Sequence, residues 1–272
     1  MYLSPLVLSG ARLTYEDNVE VNSKVCVVIP TYNEAENLPE IFTKLLALEF
    51  PELSILVVDD CSPDGTGAIA DAMAQAHPGR IHVLHRAVKR GIGPAYVAGY
   101  KAAVALEPDV ILQMDADLSH APESIPAMIH ALETADVVVG SRYVDGGKVD
   151  AHWGWSRRAL SRYGNAYTRW VGGVPIHDAS SGFKAFRRQV IEALPLDSLL
   201  CKGFGFQSEV TMVCKNLGYS IIEYPIHFVD RQRGASKISW GIVWEALWRL
   251  PLIRIRNRAL GKTADYLRRR EN

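Results

Sequence analysis

Five short runs of aliphatic and β-branched residues recur along the first half of the chain: Val25 to Ile29, Ile55 to Val58, Ile81 to Leu84, Val110 to Met114 and Val137 to Val139. They do not alternate apolar with polar, as strands with one wet face do, and this predicts strands buried on both faces. Helical patterns fall between them, near Glu36 to Leu48, Gly67 to Ala76, Gly93 to Leu106 and Pro122 to Leu132, the second closed by Pro78-Gly79. Strand, helix, strand repeated in this way leaves few foldings open, and the expectation is an α/β domain with a mostly parallel sheet and right-handed crossovers. In such sheets ligands sit beyond the carboxyl ends of the strands, so the residues after each run should carry chemistry. They read Pro30-Thr31-Tyr32-Asn33-Glu34, Asp59-Asp60, Asp115-Ala116-Asp117 and Gly140-Ser141-Arg142.

Beyond Arg142 the pattern loosens into a Gly/Trp/Arg-rich stretch to Arg158, a helix near Ala159 to Val171 and another near Gln207 to Leu217, with no repeat or low-complexity linker. The chain therefore divides into an N-terminal extension (1–23), one continuous catalytic domain (24–238) whose second half completes the site, and a tail (239–272). Thirty basic and thirty acidic residues cancel overall, which removes the basic bias of a dedicated nucleic-acid binder. The charge is unevenly placed: from Arg231 to Asn272 eleven basic side chains face three acidic ones, net +8, which leaves the first 230 residues at net −8. A basic tail on an acidic body points to an anionic surface or ligand. Within it, Ser239 to Ile255 interleaves Trp240, Trp244, Trp248 and Leu252 with Arg249 and Arg254, a stripe that reads either as ordinary core or, as the interleaved arginines favour, as an amphipathic segment lying on a membrane, bent or broken at Pro251. Glu245, Arg249 and Arg254 interrupt it too often for a membrane span. Leu6-Val7-Leu8 lacks the leader and length of a secretory signal. Cys26, Cys61, Cys201 and Cys214 have neither zinc-site spacing nor the density of a disulfide scaffold. The expected setting is cytoplasmic, peripheral on the cytosolic face of a membrane.

The acidic residues at the predicted strand ends carry the chemistry. Asp115 and Asp117 are two apart, a spacing that in extended chain points both carboxylates one way, so that they can share a hard cation with phosphate oxygens and water. A solvated turn is the plain alternative for such a pair, and its place after a buried strand argues against it. Asp59 ends a strand where a carboxylate can accept from a nucleobase N–H or a ribose hydroxyl; Asp64 caps the next helix. Pro30, Tyr32 and Glu34 make either a nucleoside cradle or a helix start with Asn33 as N-cap. Gly91-Ile92-Gly93 lacks the rest of a dinucleotide fingerprint. The eight histidines show no motif spacing, and His120 and His177 read as structural.

The segments VVIPTYNEAENLP, VVDDCSPDGTG, RGIGPAYVAGY, MDADLSH, VVGSRYVDGG, DASSGFKAF, GFGFQSEV and VDRQRGASK, in this order, resemble the signature blocks of family 2 glycosyltransferases of the dolichol- or polyprenol-phosphate mannose synthase type. The resemblance implies a GT-A fold and inverting, divalent-cation-dependent (Mg²⁺ or Mn²⁺) transfer of mannose from GDP-mannose to a polyprenyl or dolichyl monophosphate; whether a separate membrane-anchoring protein is a further partner is left open by the sequence. It places Pro30, Tyr32, Glu34, Val57 and Asp59 around the nucleoside, Asp115 and Asp117 at the metal, and Ala116 against the donor. Arg142, Arg231 and Lys237 would face phosphates, the last two on a closing loop; Arg157 and Ser161 would hold the acceptor phosphate. Gln207 and Glu209 border the sugar pocket or form a polar helix face. Three positions depart from the family: Ser119 stands where many members place a Gln at the metal, Lys184 where they often have Arg, and Ala235 replaces an acid. The other readings kept open are transfer from another nucleotide sugar such as UDP-glucose, and a non-catalytic nucleotide-sugar-binding subunit.

Overall fold

The computed structural model describes residues 23–48, 50, 52–150, 153–203, 205–230 and 248–256. Its elements run β1 (Val25–Thr31), α1 (Leu38–Leu46), β2 (Leu53–Asp59), α2 (Thr66–Ala76), β3 (Ile81–His85), α3 (Ile92–Val104), β4 (Val110–Gln113), α4 (Ile125–Ala131) and β5 (Val137–Ser141). There follow β6 (Lys148–Val149), α5 (Trp155–Gly172), β7 (Lys184–Arg187), α6 (Arg188–Ala193), α7 (Gly205–Asn216), β8 (Ile221–Pro225) and β9 (His227–Phe228). Residues 248–256 are helical straight through Pro251, so the expected break there is not found.

Seven strands form one sheet in the order β3-β2-β1-β4-β7-β5-β8, and β6 pairs with β9 in a small second sheet. All pairs in the large sheet are parallel except those of β7, which runs antiparallel to both β4 and β5. The two-sided burial expected of the apolar runs is found in β1, β2, β4 and β5, whereas β3, at the sheet edge, is buried only at Ile81. Val25, Val27 and Ile29 of β1 pack into one cluster with Leu38, Ile41 and Phe42 of α1 and Met128 of α4. Cys26 and Val28 face the other cluster, with Tyr96 and Tyr100 of α3 and Phe206 and Val210 of α7. α3 lies so close to the sheet that a Cβ on Gly99 would stand 2.5 Å from a Val28 methyl. Leu250 and Ile253 of helix 248–256 are buried in this second cluster. That part of the tail is core on one face.

The chain reverses direction across the sheet between β1, which leads outward to β2, and β4, its other neighbour. A crevice opens beyond the strand ends at such a point, and it is there that the Pro30 and Asp115 segments meet.

Candidate active site

Asp115 and Asp117 follow β4 by two and four residues and lie in a bend, not in extended chain, because the strand ends at Gln113 rather than Met114. Each carboxylate has its own support. The Tyr96 hydroxyl of α3 donates to Asp115 Oδ1 at 2.9 Å. Gly182 lies against the same group so tightly that a Cβ there would come within 2.7 Å of Oδ2. Asp117 Oδ1 accepts from both the backbone N–H and the hydroxyl of Ser119, so Ser119 orients this carboxylate. Ala116 is buried between them.

His120 holds the bend from within: its Nδ1 accepts the Asp115 backbone N–H at 3.2 Å, and its ring stacks on Phe183 at 4.9 Å. Burial lowers its pKa despite both aspartates, so the ring is neutral at pH 7. Burial, together with Asp115, raises the Tyr96 phenol well above its usual value and keeps it a donor.

Beneath the pair lies a buried polar network. Tyr100 donates to Gln113, Gln113 donates to the Gly182 carbonyl at 2.9 Å and to Gln207 Oε1, and the Lys184 ammonium donates to Gln207 Oε1 at 3.0 Å and to the Ser181 carbonyl. With both donors on its oxygen, Gln207 presents its Nε2, which is buried with no acceptor among the described residues. Glu209 is spent elsewhere, accepting the backbone N–H groups of Leu200 and Cys201.

At the carboxyl end of β2, Asp59 is 5% exposed and accepts weakly from the Ser62 N–H at 3.3 Å. Its neighbour Asp60 carries the strong pair, with Arg86 at 2.5 Å, which draws in the loop after β3. Tyr32 is half-buried beneath the Lys89 ammonium, 3.1 Å from the ring centre. The Glu34 N–H donates to Thr66 Oγ1 at 2.9 Å, while Asn37 Nδ2 donates to its carboxylate at 2.7 Å. Helix α1 begins only after Asn37, and Asn33 adopts a positive φ of 59° instead of capping it. Pro30 is half-buried at the end of β1; Val57 is fully buried in the core, so it supports this wall from beneath.

The far side of the site is aromatic and cationic. Phe228 meets His120 edge-on at 5.7 Å and Trp153 at 5.5 Å, and the Arg157 guanidinium lies over Trp153 at 4.0 Å. Arg157 pairs with Asp230 at 3.0 Å, yet its Nε and the indole N–H of Trp153 are buried without an acceptor among the described residues. Ser161, one turn on, accepts from the Tyr143 hydroxyl at 2.7 Å. Arg142 is held by Asp178 through two guanidinium contacts of 2.7 Å each. Arg231 and Lys237 lie outside the described residues.

The residues present suit a hard cation. Among the described residues no group of three His, Cys, Asp or Glu forms a closed metal cage. Two fixed carboxylates leave most of an oxygen-rich coordination sphere to diphosphate and water, the arrangement Mg²⁺ and Mn²⁺ adopt on nucleotides.

The glycosyl transferase family 2 model matches residues 26–194. The chain belongs to that family. This glycosyltransferase is 44% identical to the polyprenol monophosphomannose synthase of Mycolicibacterium smegmatis, over 88% of this chain and 90% of that one. It is 46% identical to the undecaprenyl-phosphate mannosyltransferase of Micrococcus luteus, over 82% and 91% of the two chains. Its fold is that of glucosyl-3-phosphoglycerate synthase from Mycobacterium tuberculosis, solved with Mn²⁺ and UDP, at a TM-score of 0.62 and 18% identity over 87% of this chain and 80% of that one. The GT-A α/β class expected from the sequence is the one found.

Proposed function

We propose that this glycosyltransferase transfers mannose, with inversion, from GDP-mannose to a polyprenyl (dolichyl-type) monophosphate. The observation that carries the reading is the continuous wall from the Asp115/Asp117 bend through His120, Phe228 and Trp153 to Arg157. It joins a pair of carboxylates suited to a cation to a corner with two buried N–H donors that have no acceptor among the described residues. A phosphate placed there supplies the missing acceptors, with Arg157 and Ser161 as its contacts. The two relatives at 44% and 46% identity are named for polyprenol monophosphomannose and undecaprenyl phosphate, which supports a lipid acceptor for this chain.

In this reading Pro30, Tyr32, Glu34 and Asp59 hold the guanosine, and Gln207 Nε2 donates to a sugar hydroxyl. Asp115 and Asp117 hold Mg²⁺ or Mn²⁺, which when bound offsets the negative charge that grows on the departing diphosphate. The acceptor phosphate oxygen attacks the anomeric carbon from the face opposite the diphosphate; the new C–O bond forms as the old one breaks, and GDP leaves with the electron pair. A phosphomonoester with a second pKa near ~6 is already largely ionised at neutral pH and needs no base. His120, neutral, with Nδ1 already engaged, is not asked to act as one. Arg231 and Lys237 close over the diphosphate and exclude water. The enzyme works peripherally on the cytosolic membrane face, with or without a separate anchoring protein; among the described residues no helix is long and apolar enough to cross a membrane.

The test is to offer the pure protein labelled GDP-mannose, UDP-glucose and UDP-GlcNAc, each with a short polyprenyl phosphate and Mn²⁺. Product from GDP-mannose alone, abolished in Asp117→Ala, is the expected outcome. Product from UDP-glucose would reassign the donor, and full turnover of Asp117→Ala in chelator would remove the metal.

A further inference from the structure

His85 closes β3 in register with Asp59, the last residue of β2. Its Nε2 lies 2.9 Å from Asp71 Oδ1 on α2, and its Nδ1 lies 3.7 Å from Asp59 Oδ2. The second distance is within reach of an ion pair but longer than a hydrogen bond. The first turn of α2 presses on both groups: a Cβ on Gly67 would stand 3.0 Å from Asp59 Oδ2 and 3.2 Å from His85 Cε1. The charged groups facing the ring are Asp71 from α2 and Asp59 from β2, since Arg86, next in the chain, is turned to Asp60.

Asp59 is a carboxylate with little to hold it. Its side chain is 7% exposed, yet the hydrogen bonds it accepts among the described residues come only from the Ser62 N–H, at 3.3 and 3.4 Å to its two oxygens. Bonds that long leave both oxygens free to accept from an incoming ligand, and a buried charge so weakly bonded calls for a cation beside it. The state of His85 decides whether it has one. At 2.9 Å from a carboxylate oxygen, Nε2 carries a hydrogen in either state of the ring. In the neutral ring that leaves Nδ1 with a lone pair beside Asp59; the imidazolium places an N–H there instead. The hydrogen bond to Asp71, opposed by burial and aided by the charges of Asp71 and Asp59, raises the His85 pKa above its usual value.

We propose that His85, held by Asp71, is a positioning residue for the donor, and that its imidazolium fixes the Asp59 carboxylate in the orientation that receives the nucleoside. The inference rests on the reading of Asp59 as a nucleoside contact and adds the group that keeps this contact in place. His85 touches no reacting atom, and β3 lies three places from β4 in the sheet order, so the Asp115/Asp117 bend is not involved. Protonated, His85 favours donor binding. Neutral, it sets a lone pair against the carboxylate, and the nucleoside is held less well.

Binding of GDP-mannose to the full chain is measured by calorimetry without acceptor, at constant Mg²⁺, from about pH 5.5 to about pH 8.5. A diphosphate esterified at both ends lacks the second proton of a phosphomonoester, so the ligand itself does not titrate in this range. The wild-type Kd should rise about fivefold as pH climbs through the His85 titration, the worth of one partly exposed ion pair. His85→Gln keeps a polar side chain with no proton to lose, and its profile should be level. Asp71→Asn should move the midpoint to lower pH. By reciprocity, saturating GDP-mannose should raise the midpoint of the His85 ring signal in NMR by about 0.7 pH. Parallel profiles in the wild type and His85→Gln, or a His85 midpoint that the bound donor leaves unmoved, would overturn the proposal; the second measurement needs only the wild type. The donor reading fails separately. UDP-glucose bound with the same coupling, in place of GDP-mannose, would reassign the donor and leave the role of His85 standing, whereas GDP-mannose bound without coupling would sink His85 alone. Binding of neither sugar nucleotide would sink both.

Discussion

Asp178 has no exposed surface and accepts hydrogen bonds from Arg142, Asn165 and the Ser180 hydroxyl. Burial pushes its pKa up, but Arg142 outweighs burial and holds the carboxyl below its usual range. Asp178→Ala strands a buried guanidinium and should cost about 3–5 kcal/mol in urea unfolding, far more than replacing both partners with apolar residues. Lys184 is the other buried charge. Burial brings its ammonium from 10.5 down to about 7, so between those values the unfolded chain binds a proton that the folded one does not. Stability therefore rises with pH through that window, and the penalty is fully present below it. Burial also pushes the Cys26 and Cys214 thiols from 9.0 up to about 12; the unfolded chain loses those protons first, which opposes the rise above pH 9. Unfolding measured from pH 7 to pH 9 should show wild-type stability climbing and Lys184→Met nearly flat, and parallel curves would refute the assignment. Residues at strand ends were legible because position and chemistry agree there. Their partners were not: Tyr96 reads only as one apolar residue of a helix, and Gln207 meets Gln113 from 94 positions away.

The parallel strands β1 to β5 were legible in the same way, as apolar runs; β8, half-buried along its length, was not among those runs. β7 was not, because Lys184–Arg187 is four residues long with a cation at each end, and its burial comes wholly from its neighbours. Periodicity finds strands that advertise two dry faces, and this one hides a lysine under the site. Helix packing gives a test at this scale. Gly99→Ala puts a methyl 2.5 Å from Val28, and overpacking of about 1–3 kcal/mol should exceed the ~1 kcal/mol gained in helix propensity, so the Tm falls. Gly164 of α5 has nothing within 4 Å of its missing Cβ, and Gly164→Ala should raise the Tm instead. Equal shifts in the two variants would show that α3 does not rest on the sheet as described.

At the scale of the molecule, the basic tail was legible as an amphipathic segment, but not that it would divide its apolar residues between a core and a surface. Ending the chain at residue 247 removes Leu250 and Ile253 from the larger cluster and should cost about 3–6 kcal/mol, at 1.5–3 kcal/mol for each fully buried aliphatic side chain. Thermal unfolding that is unchanged by the truncation would make the helix a mere appendage. The placement of β7 has a further consequence, which concerns manufacture. A ribosome delivers the amino end first. The strands β1 to β4 are complete by Gln113, and the two aspartates emerge directly after them. Gly182, which confines Asp115, and Gln207, which lies beneath it, are translated roughly seventy and ninety codons later, and the helix that seals the core follows them. A nascent chain thus carries its acidic pair long before it has a site, which is assembled only once helix 248–256 has emerged.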